Sequence, residues 1–212
     1  MVPVQRPEDA EGRSSFWEGV HDSTDVDGVS WWQSVPDLSL GLVDETGIGQ
    51  DQPVIDVGAG WSTLVDHLVE RGFQDLTAID LSMTALTTVR ERLGETTARV
   101  TLDVADVLDF RPRRTFALWH DRAVFHFLTE QDERDDYRAS LNHCLEAGGF
   151  AVVATFGPDG PLTCSGLPIV RYTHEALVAE FPDYRLLSTS GEDHRTPWGT
   201  TQQFTAILLQ RQ

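Results

Sequence analysis

Residues 54–63 read VIDVGAGWST: an apolar run interrupted by one acid, Asp56, and closed by two glycines, Gly58 and Gly60. Glycines at such a turn let the backbone approach a ligand closely. The following WSTLVDHLVERG has helical spacing and closes at Gly72. The stretch therefore predicts a buried strand, a tight ligand-facing turn and a helix. From Gln52 onward the pattern repeats. LTAID predicts a second strand, and Ser82 is placed to cap a helix whose Met83, Leu86, Val89 and Leu93 recur at helical spacing before Gly94. RVTLDVADV and FALWHD predict a third and a fourth strand. QDERDDYRASLNHCLEAGG predicts a helix with Tyr137, Leu141, Cys144 and Leu145 on one side, and FAVVATF a fifth strand. Alternating strands and helices imply a parallel sheet with right-handed crossovers.

The tail changes character. THEALVAEF predicts a short helix, and YRLLSTS and TTQQFTAILL two strands close enough to pair antiparallel at one edge. The expected class is α/β, a Rossmann-like doubly wound, mostly parallel seven-stranded sheet with an antiparallel C-terminal edge and a short helical N-terminal cap. Residues 1–14 are polar, carry Pro3 and Pro7, and are expected to form a disordered tail. Residues 15–50 are aromatic and turn-rich, with helix expected around Ser14–Val20 and Asp37–Asp44. Too small to fold alone, they are read as a cap on the main domain, residues 51–212.

At 212 residues the chain suits one such domain. Its net charge is −18, and all 16 basic residues are arginine. That acidity disfavours nucleic acid, which is held by positive stripes. No run is apolar enough for a membrane span, and the first residues lack a signal-peptide pattern. The two cysteines, Cys144 and Cys164, lack metal-ligand or redox spacing, so no metal site is expected. A cytoplasmic location is the economical reading; the oligomeric state is left open.

Ligands of open parallel sheets sit outside the carboxyl ends of the strands. Those ends offer Asp56 with Gly58 and Gly60, then Asp80, then Asp106, then His120 with Asp121 and Arg122. A dinucleotide turn would need G-x-G-x-x-G, but Thr63 stands at the third glycine, and a ring of carboxylates would repel a pyrophosphate. A nucleoside ligand with positive charge and no phosphate fits instead: S-adenosylmethionine. Asp80 is placed for a ribose diol, Asp106 for the adenine amino group, and Asp56 for the cationic amino-acid and sulfonium end.

With these motifs in order, residues 52–156 resemble the class I S-adenosylmethionine-dependent methyltransferases. VIDVGAG resembles their first motif, AIDLS the second, VADVLDF the third, and LEAGGFAVVATF the fifth strand with its approach. Ser62 replaces the last glycine of the usual G-x-G-x-G. Asp80 follows Gly60 by 20 residues, and Asp106 follows Asp80 by 26. The resemblance implies a cofactor site of Asp56, Gly58, Gly60, Asp80, Leu81, Asp106, Val107 and His120, with Trp32 from the cap.

In FALWHDRAVFHFLTE the chain resembles methyltransferases with a histidine six residues past the fourth strand, here His126. That histidine is either an acceptor-side base or orienting group, or a core residue packed between Phe125 and Phe127. Arg171, Tyr172 and Cys164, in the Gly- and Pro-rich segment after the fifth strand, and His194, in the tail loop EDHRTPWGTTQ, are the remaining acceptor-side candidates. The expected acceptor is a small molecule in a capped pocket. Two alternatives stand beside it. The FW…WWQSVP segment resembles the N-terminal part of elongation-factor lysine methyltransferases, and a non-catalytic S-adenosylmethionine-binding protein would carry the same cofactor residues.

Overall fold

The computed structural model describes residues 6–25 and 28–212. Its centre is a seven-stranded sheet, with strands β1 (Val54–Val57), β2 (Leu76–Asp80), β3 (Val100–Val104), β4 (Phe116–Arg122), β5 (Leu145–Phe156), β8 (Tyr184–Arg195) and β9 (Thr201–Arg211). The spatial order is β3-β2-β1-β4-β5-β9-β8. The first five run parallel; β9 pairs antiparallel with β5 and β8 antiparallel with β9. The expected fold class is the observed one. A separate two-stranded hairpin, β6 (Thr163–Cys164) with β7 (Leu167–Pro168), forms within the Gly- and Pro-rich segment after β5.

Alternate residues of the strands feed two cores. On one face Val54, Leu76, Ala78, Leu118 and Val152 meet α2 (Asp37–Thr46), α3 (Leu64–Glu70) and α4 (Met83–Leu93) through Leu40, Leu68 and Leu86. On the other, Ile55, Val57, Ile79, Trp119 and Val153 meet α5 (Gln131–Cys144) and α6 (His174–Ala179) through Tyr137, Leu141 and Leu177. Both faces of the inner strands are covered, so those strands read as continuous apolar runs rather than alternating ones.

Two boundaries differ from expectation. Helix α1 spans Ala10–Asp22, because Asp9 accepts from Gly12 N at 2.7 Å and caps it. Residues 10–14 therefore belong to the cap helix and not to a disordered tail; residues 1–5 of that expectation lie outside the described residues. In the tail, β8 continues through His194, and the loop contracts to a turn closed by Thr196 N donating to Thr200 O at 2.9 Å. A bulge between Leu186 and Ser188 shifts the register and hides this length from simple alternation.

Candidate active site

Helix α1 lies across the carboxyl ends of the strands and is pinned to the start of α4. Glu18 accepts from the Ser82 hydroxyl at 2.6 Å and the Thr84 hydroxyl at 2.7 Å at the start of α4, which holds its carboxyl below the usual range. Ser14 Oγ donates to Leu81 O at 2.8 Å. Under this helix lies a cavity of about 110 Å³. Asp80, Leu81, Asp106 and Val107 line one end, and Trp17, Trp31, Phe127, Phe156 and Cys164 the other.

The glycine turn owes its shape to two positive φ angles, +59° at Gly58 and +48° at Gly60. A Cβ at Gly58 would lie 2.1 Å from Val124 Cγ2, so glycine is required there on two counts. Gly60 N donates to Asp80 Oδ2 at 2.8 Å, and Ser82 N to Oδ1 at 2.9 Å. The Asp80 carboxylate is thus fixed in orientation before any ligand arrives. Burial raises its pKa, opposed by His21 and by the two backbone donors. Asp106 lies just past β3; Leu108 N donates to its Oδ1 at 3.0 Å, while Arg13 of α1 donates to Oδ2 through Nε at 2.8 Å. The carboxylate expected to meet an adenine amino group is therefore already engaged by an arginine.

Asp56 borders a second, smaller cavity with Gly58, Trp32, Trp61 and His120. Its register partner on β4 is His120, whose Nδ1 donates to Asp56 Oδ1 at 2.6 Å and whose Nε2 is hydrogen-bonded to Ser39 Oγ at 2.8 Å. His120 is thereby a bridge between sheet and α2. The other oxygen, Asp56 Oδ2, is buried without a partner. A buried acceptor without a donor fits an ammonium group, as the amino-acid end of S-adenosylmethionine would present.

At the end of β4, Asp121 accepts from Val124 N at 2.9 Å, Phe125 N at 3.1 Å and Tyr137 OH at 2.7 Å. Burial still lifts its pKa to about 6. Asp121 is spent on holding the turn, in which Ala123 adopts φ +73°, and does not line either cavity. Arg122, the next residue, borders both.

Four acceptor-side expectations are corrected. His126 is fully buried behind the wall: Nδ1 accepts from Phe156 N at 3.3 Å, and the ring packs 4.5 Å from Phe127 and 4.7 Å from Phe156. Burial, then the Arg122 charge, lowers its pKa to about 3, so it is a neutral core histidine and does not line the cavity. Arg171 is exposed and donates to Pro158 O and Gly160 O, stapling its own loop. Tyr172 packs against Phe125 in the core at 5.7 Å. His194 Nε2 donates to Ser30 O at 2.8 Å and so tethers the cap to β8. Cys164 does reach the cavity, with its thiol pushed up to about 12 by burial.

Sequence reasoning missed Arg13, Trp17 and His21. They recur every four residues on one face of α1, but the helix expected around Ser14–Val20 stops short of Arg13 and His21, so the repeat is complete only over the full Ala10–Asp22 span. Trp17 and His21 line the large cavity, and the ring of His21 packs 4.8 Å from Trp61.

Residues 54–149 match the family model described as a methyltransferase domain. Solved structures similar to the whole chain agree in fold. A S-adenosylmethionine-dependent methyltransferase from Anabaena variabilis has a TM-score of 0.72 at 17% identity, covering 100% of this chain and 99% of its own. The Burkholderia thailandensis 1,6-didemethyltoxoflavin-N1-methyltransferase, bound to 1,6-didemethyltoxoflavin and S-adenosylhomocysteine, has a TM-score of 0.70 at 20% identity, covering 99% and 93%. A structure that describes conversion of a disulfide bond into a thioacetal group during echinomycin biosynthesis has a TM-score of 0.76 at 19% identity, covering 93% and 92%. No match was found among curated protein sequences. Residues 54–149 thus carry the pattern of a methyltransferase domain, and the fold is the one shared by these solved methyltransferases.

Proposed function

We propose that this protein transfers a methyl group from S-adenosylmethionine to a small-molecule nucleophile held between the sheet and helix α1. The observation that carries this reading is one continuous cavity. It joins the strand-end acids Asp80 and Asp106 to an aromatic chamber of Trp17, Trp31, Phe127 and Phe156. When bound, the cofactor supplies an electrophilic methyl on a sulfonium. Asp80, already oriented by Gly60 N and Ser82 N, accepts from the ribose hydroxyls. Asp56 Oδ2 takes the ammonium group, and Leu81, Ala105, Val107 and Leu108 provide the apolar bed for the base.

The aromatic chamber and α1 exclude water from the acceptor. Positioning alone contributes effective molarities of roughly 10⁵ to 10⁸ M. His21 is the one imidazole lining the large cavity among the described residues, and its Nδ1 donates to Trp17 O at 2.9 Å. The acceptor side thus works by enclosure, on a nucleophile that is already a neutral amine, a thiol or an ionised oxygen.

A protein lysine acceptor is the second reading, favoured by the net charge of −18. Among the described residues no helix is long and apolar enough to cross a membrane; the cytoplasm remains the proposed location. The test is binding, then turnover. S-adenosylhomocysteine should raise Tm through ligand linkage, while NAD and NADP should not. Incubation of a metabolite extract with a methyl-labelled donor should then label a small product. A larger shift with NAD overturns the cofactor, and label confined to protein overturns the small-molecule acceptor.

A further inference from the structure

Arg122 has no task in that scheme, yet its placement is unusual. Its side chain is only 11% exposed. Nη1 donates to Trp31 O at 3.2 Å, and the guanidinium lies 4.2 Å from the centre of the Phe204 ring on β9. Nε and Nη2 are buried without a partner. These two nitrogens form one side of the guanidinium, the fork that takes a carboxylate bidentately. Burial alone lowers the Arg122 pKa to about 10, which leaves the group a full cation at neutral pH.

Glu192 of β8 is the acid that faces it and forms a loose ion pair with it. Its Oε2, itself buried without a hydrogen-bond partner, stands 3.8 Å from Nη2, beyond hydrogen-bond distance, and its Oε1 accepts from Gln33 Nε2 at 2.6 Å. Glu192 therefore balances part of the charge without occupying the fork. A buried guanidinium with an open fork is costly to leave unmet and is satisfied by an incoming anion. Of the residues that border both cavities, Trp31, Gly58 and Arg122, it is the one that carries charge. It leans toward β9 and the Cys164 hairpin, away from the acids on β2 and β3. Around it the chamber is aromatic: Trp17 meets Trp31 edge-on at 6.3 Å and Phe127 at 5.2 Å, geometry that favours a flat ring.

We propose that the Nε/Nη2 fork of Arg122 binds the carboxylate of a planar aromatic methyl acceptor, whose ring lies in the Trp17–Trp31–Phe127–Phe156 chamber. This rests on the methyltransferase reading and names its substrate class. Arg122 is then a specificity residue: an aromatic acid is accepted and its neutral counterpart is not.

The test uses 2-naphthoate and 2-naphthamide as probes, measured by calorimetry on the full chain saturated with S-adenosylhomocysteine. Naphthoate should bind at least tenfold tighter than naphthamide. Arg122→Gln should abolish that preference while holding S-adenosylhomocysteine affinity within about twofold. Glu192→Gln, by removing the facing carboxylate, should tighten naphthoate further. Equal affinity of the wild-type protein for acid and amide overturns the proposal, and that comparison needs no variant to fold. A tenfold loss of S-adenosylhomocysteine affinity in Arg122→Gln also overturns it, by assigning the fork to the donor's own carboxylate. If the wild-type protein fails to bind S-adenosylhomocysteine, the cofactor reading fails, and the acid-versus-amide comparison on the free protein still decides Arg122.

Discussion

Replacing His126 by Gln separates a base from a core residue through the pH dependence of stability. In the fold the ring is fully buried, Nδ1 accepts from Phe156 N, and the pKa is lowered from 6.5 to about 3. Between those values the unfolded chain takes up a proton that the folded chain refuses. Stability contributed by this residue is therefore complete above pH 6.5 and is lost as pH falls toward 3. From pH 8 to pH 5 the drop amounts to about 1.5 units at ~1.36 kcal/mol each, or ~2 kcal/mol. Gln cannot titrate, but its amide oxygen can still accept from Phe156 N. Urea unfolding of both proteins at pH 8 and pH 5 measures the difference: wild type should lose ~2 kcal/mol more than His126→Gln across that interval. Single-turnover rates from pH 6 to 8 should follow the folded fraction in both. Identical pH slopes of stability would refute the buried neutral ring. A 10²-fold or larger loss of rate in a fully folded variant would return His126 to the reaction.

Three further outcomes follow from the site. Asp80→Asn removes the charge from a carboxylate that Gly60 N and Ser82 N hold in place, and should lower S-adenosylhomocysteine affinity at least tenfold; its amide nitrogen cannot accept from one of those two donors, so Tm should fall as well, and unchanged affinity by calorimetry removes Asp80 from the cofactor site. Gly58→Ala forces a Cβ to 2.1 Å from Val124 Cγ2 at φ +59°, and should cost about 2–5 kcal/mol of stability. Val124→Ala in the same chain should recover part of that loss, and a Gly58→Ala protein as stable as wild type would refute the close approach of the two turns. Arg13→Gln breaks a pair in which both side chains are 9% exposed, and should lower Tm less once S-adenosylhomocysteine is bound, because the ligand then shares Asp106; an equal drop with and without ligand argues that Arg13 only supports the fold.

Much of the architecture was legible because its determinants are local. Apolar runs of four to seven residues, helices with a 3.6-residue period, and punctuation by Gly72 and Gly94 are properties of adjacent residues. The position of Asp80 at the end of its strand, and of Asp106 just past the next, follows from the same count, so both could be named as strand-end acids from spacing. What the sequence by itself determined was therefore the class of fold and the set of strand-end groups. Side-chain partners were decided only by tertiary structure. His120 meets Asp56 because parallel strands 64 residues apart fall into register, and Arg13 reaches Asp106 across 93 residues because α1 folds back over the sheet. Asp121 and His126 sit beside the cavity in sequence terms, yet one is consumed by backbone donors and the other turned into the core. Which way a side chain faces depends on the turn geometry and on what packs behind it, and neither is encoded in the residues next to it.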